Sequence, residues 1–226
     1  SCLTILTLPL AIAFSISLIF LNGTGCRPMQ QETALDNPVK QLLDGNNRFA
    51  NMHALHPHET AARLREIAEG QHPFAAVVCC SDSRVPPEVV FDQGLGDLFV
   101  VRTAGNLMGG LEIGSIEYAV EHLGVKQVVV MGHKECGAIK AFAEGGEVPG
   151  HIKDIVDSIK AEKEIQLIPA NDQHLLDDCI RANILHGIHQ LKQQSPIIAE
   201  KIRKGELQIC GACYDIRRGI VELVKE

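Results

Sequence analysis

Three short runs of apolar residues, each ended by a polar turn, constrain this chain more than anything else in it. They are "FAAVVCC" (74–80), "DLFVVR" (97–102) and "KQVVVMGH" (126–133). A half-exposed strand alternates apolar and polar residues. A continuous run must instead be buried on both faces, as in a parallel sheet covered by helices. Between the second and third runs, "GGLEIGSIEYAVEHLG" repeats Ile113, Ile116, Val120 and Leu123 at helical spacing, which gives a strand–helix–strand unit. The predicted class is α/β: a central, mostly parallel β-sheet flanked by helices. Ligands of such sheets gather at the carboxyl ends of the strands.

The rest of the chain fits one domain of that kind. "NPVKQLLDGNNRFANM" has Val39, Leu42, Leu43 and Phe49 near helical spacing, and "ETAARLREIAEGQ" reads as a helix closed by Gly70. "HIKDIVDSIKAEKEIQ" and "DDCIRANILHGIHQLKQQ" read as two amphipathic helices, "ELQICGACYDI" (206–216) as the last strand, and "RRGIVELV" as a tail. A chain of 226 residues, 46% hydrophobic, can bury one sizeable core. Its net charge of -7, with 4% aromatic residues and no Trp, excludes a nucleic-acid partner, which would call for a basic face or a stacking platform.

The first residues have a different character. Leu3 to Leu21 carries no charge and approaches the length of a membrane span, although Pro9 lies within it. It reads as a secretory apolar segment or, with "GTGC" following, as a signal resembling that of bacterial lipoproteins, in which the cysteine, here Cys26, becomes the lipidated N-terminus. A buried core helix is the third reading. The expectation is an export signal or membrane anchor over 1–26, a linker over 27–37, and an extracytoplasmic or periplasmic protein tethered to the membrane through its N-terminus.

Chemistry concentrates in two turns at predicted carboxyl ends. "CSDSR" follows the first strand and "GHKECG" the third. If those strands are neighbours, Cys80, His133 and Cys136 meet, with Asp82 beside them. Singly, each residue is as readily explained by packing. Together, two thiolates and an imidazole suit Zn²⁺, and three protein ligands leave a fourth position open, as catalytic rather than structural zinc sites do. Cys79 points to the other face of its strand and is expected in the core. Cys179 is also expected in the core. Cys210 and Cys213 form a C-x-x-C inside a predicted strand, which is either a redox pair or two small buried residues.

"CSDSRVPPE" and then "GHKECG", with 52 residues between Cys80 and His133, resemble the β-class carbonic anhydrases, as do "LFVVRTAGN", "SPIIAEKI" and "YDIRRG". The resemblance covers roughly residues 38–222, within a catalytic domain expected over 38–226. It implies zinc-dependent, reversible hydration of CO2 to bicarbonate and a proton by a zinc-bound hydroxide, with one Zn²⁺ per subunit held by Cys80, His133 and Cys136. Asp82 and Arg84 would form the family's dyad. Arg84 holds Asp82 off the metal in an open form, whereas Asp82 takes the fourth position in a closed form. Gln71, Phe99 and Gly137 would line the substrate site. The resemblance further implies a homodimer or larger, with residues 38–52 and 59–70 as an arm crossing to the other subunit. His53, His56 and His58 are candidates for carrying the proton away only by being His. The same fold could instead hydrolyse carbonyl sulfide or carbon disulfide, or serve as a non-catalytic, bicarbonate-responsive zinc protein.

Overall fold

Hydrogen-bonded pairing, residue by residue, sets the architecture. The computed structural model describes residues 37–225, so the expectations for 1–36, Cys26 among them, lie outside it. Five strands form one sheet in the order β2-β1-β3-β4-β5: β1 (Ala75–Cys80), β2 (Leu98–Thr103), β3 (Gln127–His133), β4 (Gln208–Asp215) and β5 (Ile220–Val224). The first four run parallel; β5 returns antiparallel to β4. Every residue of β1 and of β3 is buried, as their unbroken apolarity requires.

Helices cover both faces. On one, α4 (Gly110–Glu121), α6 (Ile152–Ala161), α8 (Leu175–Gln194) and α9 (Pro196–Arg203) contribute Ile116, Ile159, Ile184 and Ile198 to a core that includes Val78, Cys80 and Val130. On the other, α1 (Pro38–Ala50) and α3 (Pro87–Val90) contribute Leu42 and Val90, packed with Val77, Cys79, Phe91 and Met131. Two strand glycines let α8 sit close: a Cβ on Gly132 or on Gly211 would come within 2.7 Å of the Ile184 side chain.

Helix α1 is tied to its own chain. Asn37 caps it, accepting from the Lys40 N–H. Buried Asn46 donates to the carbonyls of Val90 and Gly219 and accepts from the Val221 N–H. Arg48 reaches Asp92 at 2.6 Å. Burial works to raise the Asp92 pKa, but the Leu55 and His56 N–H groups and Arg48 outweigh it and hold the carboxyl below its ordinary value. Helix α2 (Ala61–Ile67), by contrast, has no buried residue.

Two expectations need correction, and one open choice closes. The segment read as a tail contains β5: Asp215 accepts from the Arg217 and Arg218 N–H groups, and Gly219, at φ 72°, completes a turn that folds the chain back. The helix expected through 151–166 breaks at Glu162, whose extended backbone separates α6 from α7 (Lys163–Gln166). Cys210 and Cys213 pack against opposite faces of the sheet, so the redox-pair reading gives way to two free, partly buried thiols. Cys79 and Cys179 lie in the core as expected.

Gly45 is where α1 meets α3. A Cβ there would lie 1.8 Å from the Phe91 carbonyl oxygen, which backbone cannot yield. Gly45→Ala is expected to cost about 3 kcal/mol, the upper end for overpacking, measured as a lowered urea midpoint. An unchanged midpoint would mean that α1 does not pack this way.

Candidate metal centre

Parallel register places the site. Cys79 pairs with Met131, so Cys80, one residue on and last in β1, lies beside the end of β3, where His133 is the final residue. A two-residue turn then reverses the chain, with Glu135 at φ 58°, and delivers Cys136 at the entry to α5 (Gly137–Glu144). The ligand atoms of Cys80, His133 and Cys136 all lie within 4.8 Å of one another, and all three residues are buried.

The imidazole is oriented before any ion arrives. His133 Nδ1 lies 2.9 Å from the Lys134 carbonyl oxygen, an acceptor only, so Nδ1 carries the proton and Nε2 the lone pair. Nε2 is buried and has no hydrogen-bond partner. A lone pair stranded beside two thiols, at tetrahedral-site spacing, is satisfied by a thiophilic cation; the donor set fits Zn²⁺.

The two adjacent cysteines differ as their faces dictate. Burial pushes the Cys79 thiol up to about 12. Cys80 is pushed down, chiefly by the Cys136 thiol beside it and then by His133 and the backbone N–H groups of Asp82 and Gly105, against the cost of burial. Cys136 is driven the other way by the Cys80 thiolate and by burial. Burial also works to lower the His133 pKa, but the Cys80 thiolate, the Lys134 carbonyl and Asp82 raise it on balance. Close together and beside the imidazole, the two thiols favour one thiolate between them, and the Gly105 N–H favours it on Cys80.

Asp82 borders the triad on its open side. Its Oδ1 accepts from the backbone N–H and Nε of Arg84, both at 2.9 Å, and its Oδ2 accepts from Nη2 at 2.7 Å. Oδ2 is 3.9 Å from His133 Nε2. The Arg84 hydrogen bonds hold the Asp82 carboxyl far below the ordinary carboxylate range. Arg102 braces the same loop, donating to the carbonyls of Cys80 (3.1 Å) and Asp82 (2.6 Å). On the inner side the Gly105 N–H donates to Cys80 Sγ at 3.4 Å. Sequence reasoning did not single out Arg102 or Gly105. The signal available was "RTAGN" at the carboxyl end of β2, the third such turn.

Of the other expected site residues, Gly137 lies beside the triad and the rest do not. Gln71 is exposed in the segment before β1, with the whole strand, roughly 17 Å at 3.3 Å per residue, between it and Cys80. Phe99 pairs with Ala76, four positions before the Cys80–Thr103 pair, and its ring stands 6.4 Å from that of Tyr118. Within one chain, neither reaches the triad, because an extended strand carries them toward its amino end. Gly137 adjoins Cys136, and a Cβ there would meet nothing within 4 Å, so space is open at that point. His58 is held 2.7 Å from Asp97 at the entry to β2, also away from the triad; His53 and His56 share its loop.

With this geometry in hand, similarity to known proteins is specific. A family model described as carbonic anhydrase matches residues 75–221. The chain is 41% identical over 194 residues to a carbonic anhydrase of Mycolicibacterium smegmatis, covering 83% of this chain and 93% of that one. Among solved structures it is similar to the β-carbonic anhydrase CcaA, with a TM-score of 0.68 at 28% identity over 84% of this chain and 96% of that one. It is also similar to a structure from a study of two tetrameric β-carbonic anhydrases of Sordaria macrospora, with a TM-score of 0.63 at 28% identity over 81% and 95%.

Replacing each of the tandem cysteines separates their roles. Cys80→Ala is expected to abolish zinc retention after dialysis, measured by atomic emission. Cys79→Ala should keep one zinc per chain and lose only about 1 kcal/mol of stability for the vacated core volume. Equal zinc loss in both would contradict the assignment of faces.

Proposed function

This chain belongs to the β-class carbonic anhydrases, and from that premise we propose how its residues divide the work. It is a zinc enzyme that catalyses the reversible hydration of CO2 to bicarbonate and a proton. The observation that carries this is the buried Cys80–His133–Cys136 cluster with an ionised carboxylate at its open side. Hydrolysis of carbonyl sulfide or carbon disulfide and a non-catalytic zinc role are not favoured.

Cys80, His133 and Cys136 would hold the ion. When bound there, zinc supplies the Lewis acidity that brings the pKa of a water from ~16 to about 7. Asp82 accepts a hydrogen bond from the reacting water and so fixes the direction of its lone pair toward the CO2 carbon. Arg84 keeps that carboxylate ionised and turned aside. What supports an open resting site is that both Asp82 oxygens are already engaged by Arg84. Space beside Gly137 suits a small linear substrate. Gln71 and Phe99, remote from the triad of their own chain, would serve a neighbouring subunit's site in a homodimer or larger assembly.

For residues 1–26 we propose export, with Cys26 as a lipidated tether. The support is the uncharged run from Leu3 to Leu21 and the "GTGC" that follows. Among the described residues, no helix is long and apolar enough to cross a membrane.

Stopped-flow CO2 hydration by zinc-replete protein tests the activity. The rate is expected to climb with pH through about 7. Asp82 stays ionised across that range, so the acidic limb reports the water and not the carboxyl. Asp82→Asn should keep zinc and lose about 100-fold in kcat. No activity above pH 8 would overturn the assignment, and an active monomer by light scattering would overturn the assembly. Mass spectrometry of the mature N-terminus tests the tether: acylated Cys26 supports it, and unmodified residues 1–26 on the mature chain refute it.

A further inference from the structure

One buried acid takes no part in the chemistry above. Glu162 sits at the break between α6 and α7, 2% exposed, with its Oε2 unpartnered. Glu162 is also among the residues that line a cavity of about 380 Å³, with Thr103, His186 and Gln190. A carboxyl group so placed is costly to bury, and its retention calls for a reason.

Its other oxygen leads to the metal centre. Glu162 Oε1 accepts from Asn183 Nδ2 at 2.8 Å, and Asn183 Oδ1 accepts from Asn106 Nδ2 at 2.6 Å. Both asparagines are 3% exposed. Asn106 closes the turn after β2, and the preceding residue, Gly105, donates its N–H to Cys80 Sγ. Gly105 and Asn106 both take left-handed backbone, φ 67° and 48°, a conformation costly for a side-chain-bearing residue unless its surroundings hold it. The Asn106 side chain is what holds it, and Asn183 and Glu162 hold Asn106. Three side chains from the turn, α8 and the α6–α7 break thus form one hydrogen-bonded line behind the ligand.

We propose that Glu162 is a positioning residue for Cys80, acting through Asn183 and Asn106 to fix the Gly105 N–H that bonds the ligand sulfur. The proposal rests on the reading of Cys80 as a zinc ligand. An N–H bond to a thiolate draws charge from the sulfur and orients its lone pairs, so it tunes how strongly Cys80 donates to a metal. Burial, aided by the Glu164 charge and opposed by Asn183, raises the Glu162 pKa to about 8. That shift favours the neutral acid, with Oε1 the natural acceptor for Asn183. A glutamine in its place would retain that acceptor.

The test compares Glu162→Ala, Glu162→Gln, Asn183→Ala and the Glu162→Ala/Asn183→Ala double variant in the full chain. Zinc affinity is read by chelator competition, and the thiolate-to-cobalt charge-transfer band is read after Co²⁺ substitution. Loss of an outer partner typically costs 10–100-fold in metal affinity. Glu162→Ala and Asn183→Ala should each weaken zinc about 10-fold and shift the cobalt band. The double variant should lose little more, because the line is already broken. Glu162→Gln should stay within about 2-fold of the parent. If Glu162→Ala fails to fold, Glu162→Met, which fills the volume without an acceptor, carries the same expectation. Unchanged affinity and an unchanged band in the folded variants, with only a lowered melting temperature, would overturn the proposal. Cys80→Ala as a control separates the cases: zinc retained there would refute the ligand reading itself.

Discussion

Everything at the metal centre depends on β1 and β3 being parallel neighbours in one register. Their pairing puts Cys80 and His133 at the same end of the sheet, although 52 residues separate them in the chain. An antiparallel pair would send the two residues to opposite ends. A one-residue slip would turn Cys79, not Cys80, toward His133, because strand side chains alternate. The register is secured by unbroken burial: valines at 77, 78, 128, 129 and 130 are packed on both faces, so neither strand can shift without moving apolar groups into unlike surroundings. The chemistry is therefore specified by packing residues that never touch a substrate.

The tandem cysteines show how much one residue of register decides. Cys79 and Cys80 have the same side chain and adjacent positions. One enters an apolar core, where burial keeps its thiol protonated. The other faces a thiol, an imidazole and two backbone N–H groups, which together favour its thiolate despite burial. The difference lies in the surroundings, and the surroundings follow from the face.

This explains what could be read from the sequence and what could not. The three apolar runs, the helix between two of them and the metal triad were all legible, because burial on two faces and ligand chemistry each leave a local signature. β5 was not: "RRGIVELV" is short and half-exposed, and only its pairing with β4 defines it. The break at Glu162 was hidden by an amphipathic pattern that continues across it. Gln71 and Phe99 were placed in the site by family resemblance, yet strand geometry puts them at the other end of their own sheet. Spacing along a chain says nothing about which subunit a residue serves. Cys210 and Cys213 were ambiguous until β4 set them on opposite faces.

The metal centre is supported differently on its two sides, and the difference suits its chemistry. Toward solvent, Asp82 is fixed by a charged, half-exposed arginine, and such contacts can be remade as water and substrate come and go. Toward the core, Cys80 meets a backbone N–H in a turn whose side-chain brace is buried, and burial favours the neutral form of its one acid. Neutral groups suit that side, since a charge there would have no solvent to screen it and would compete with the thiolates for the cation. A carboxyl held protonated by burial supplies an acceptor without adding that charge. The reacting side is thus kept polar and adjustable, and the ligand side dry and fixed. That division is what a site needs if it is to turn over a small substrate while keeping its metal.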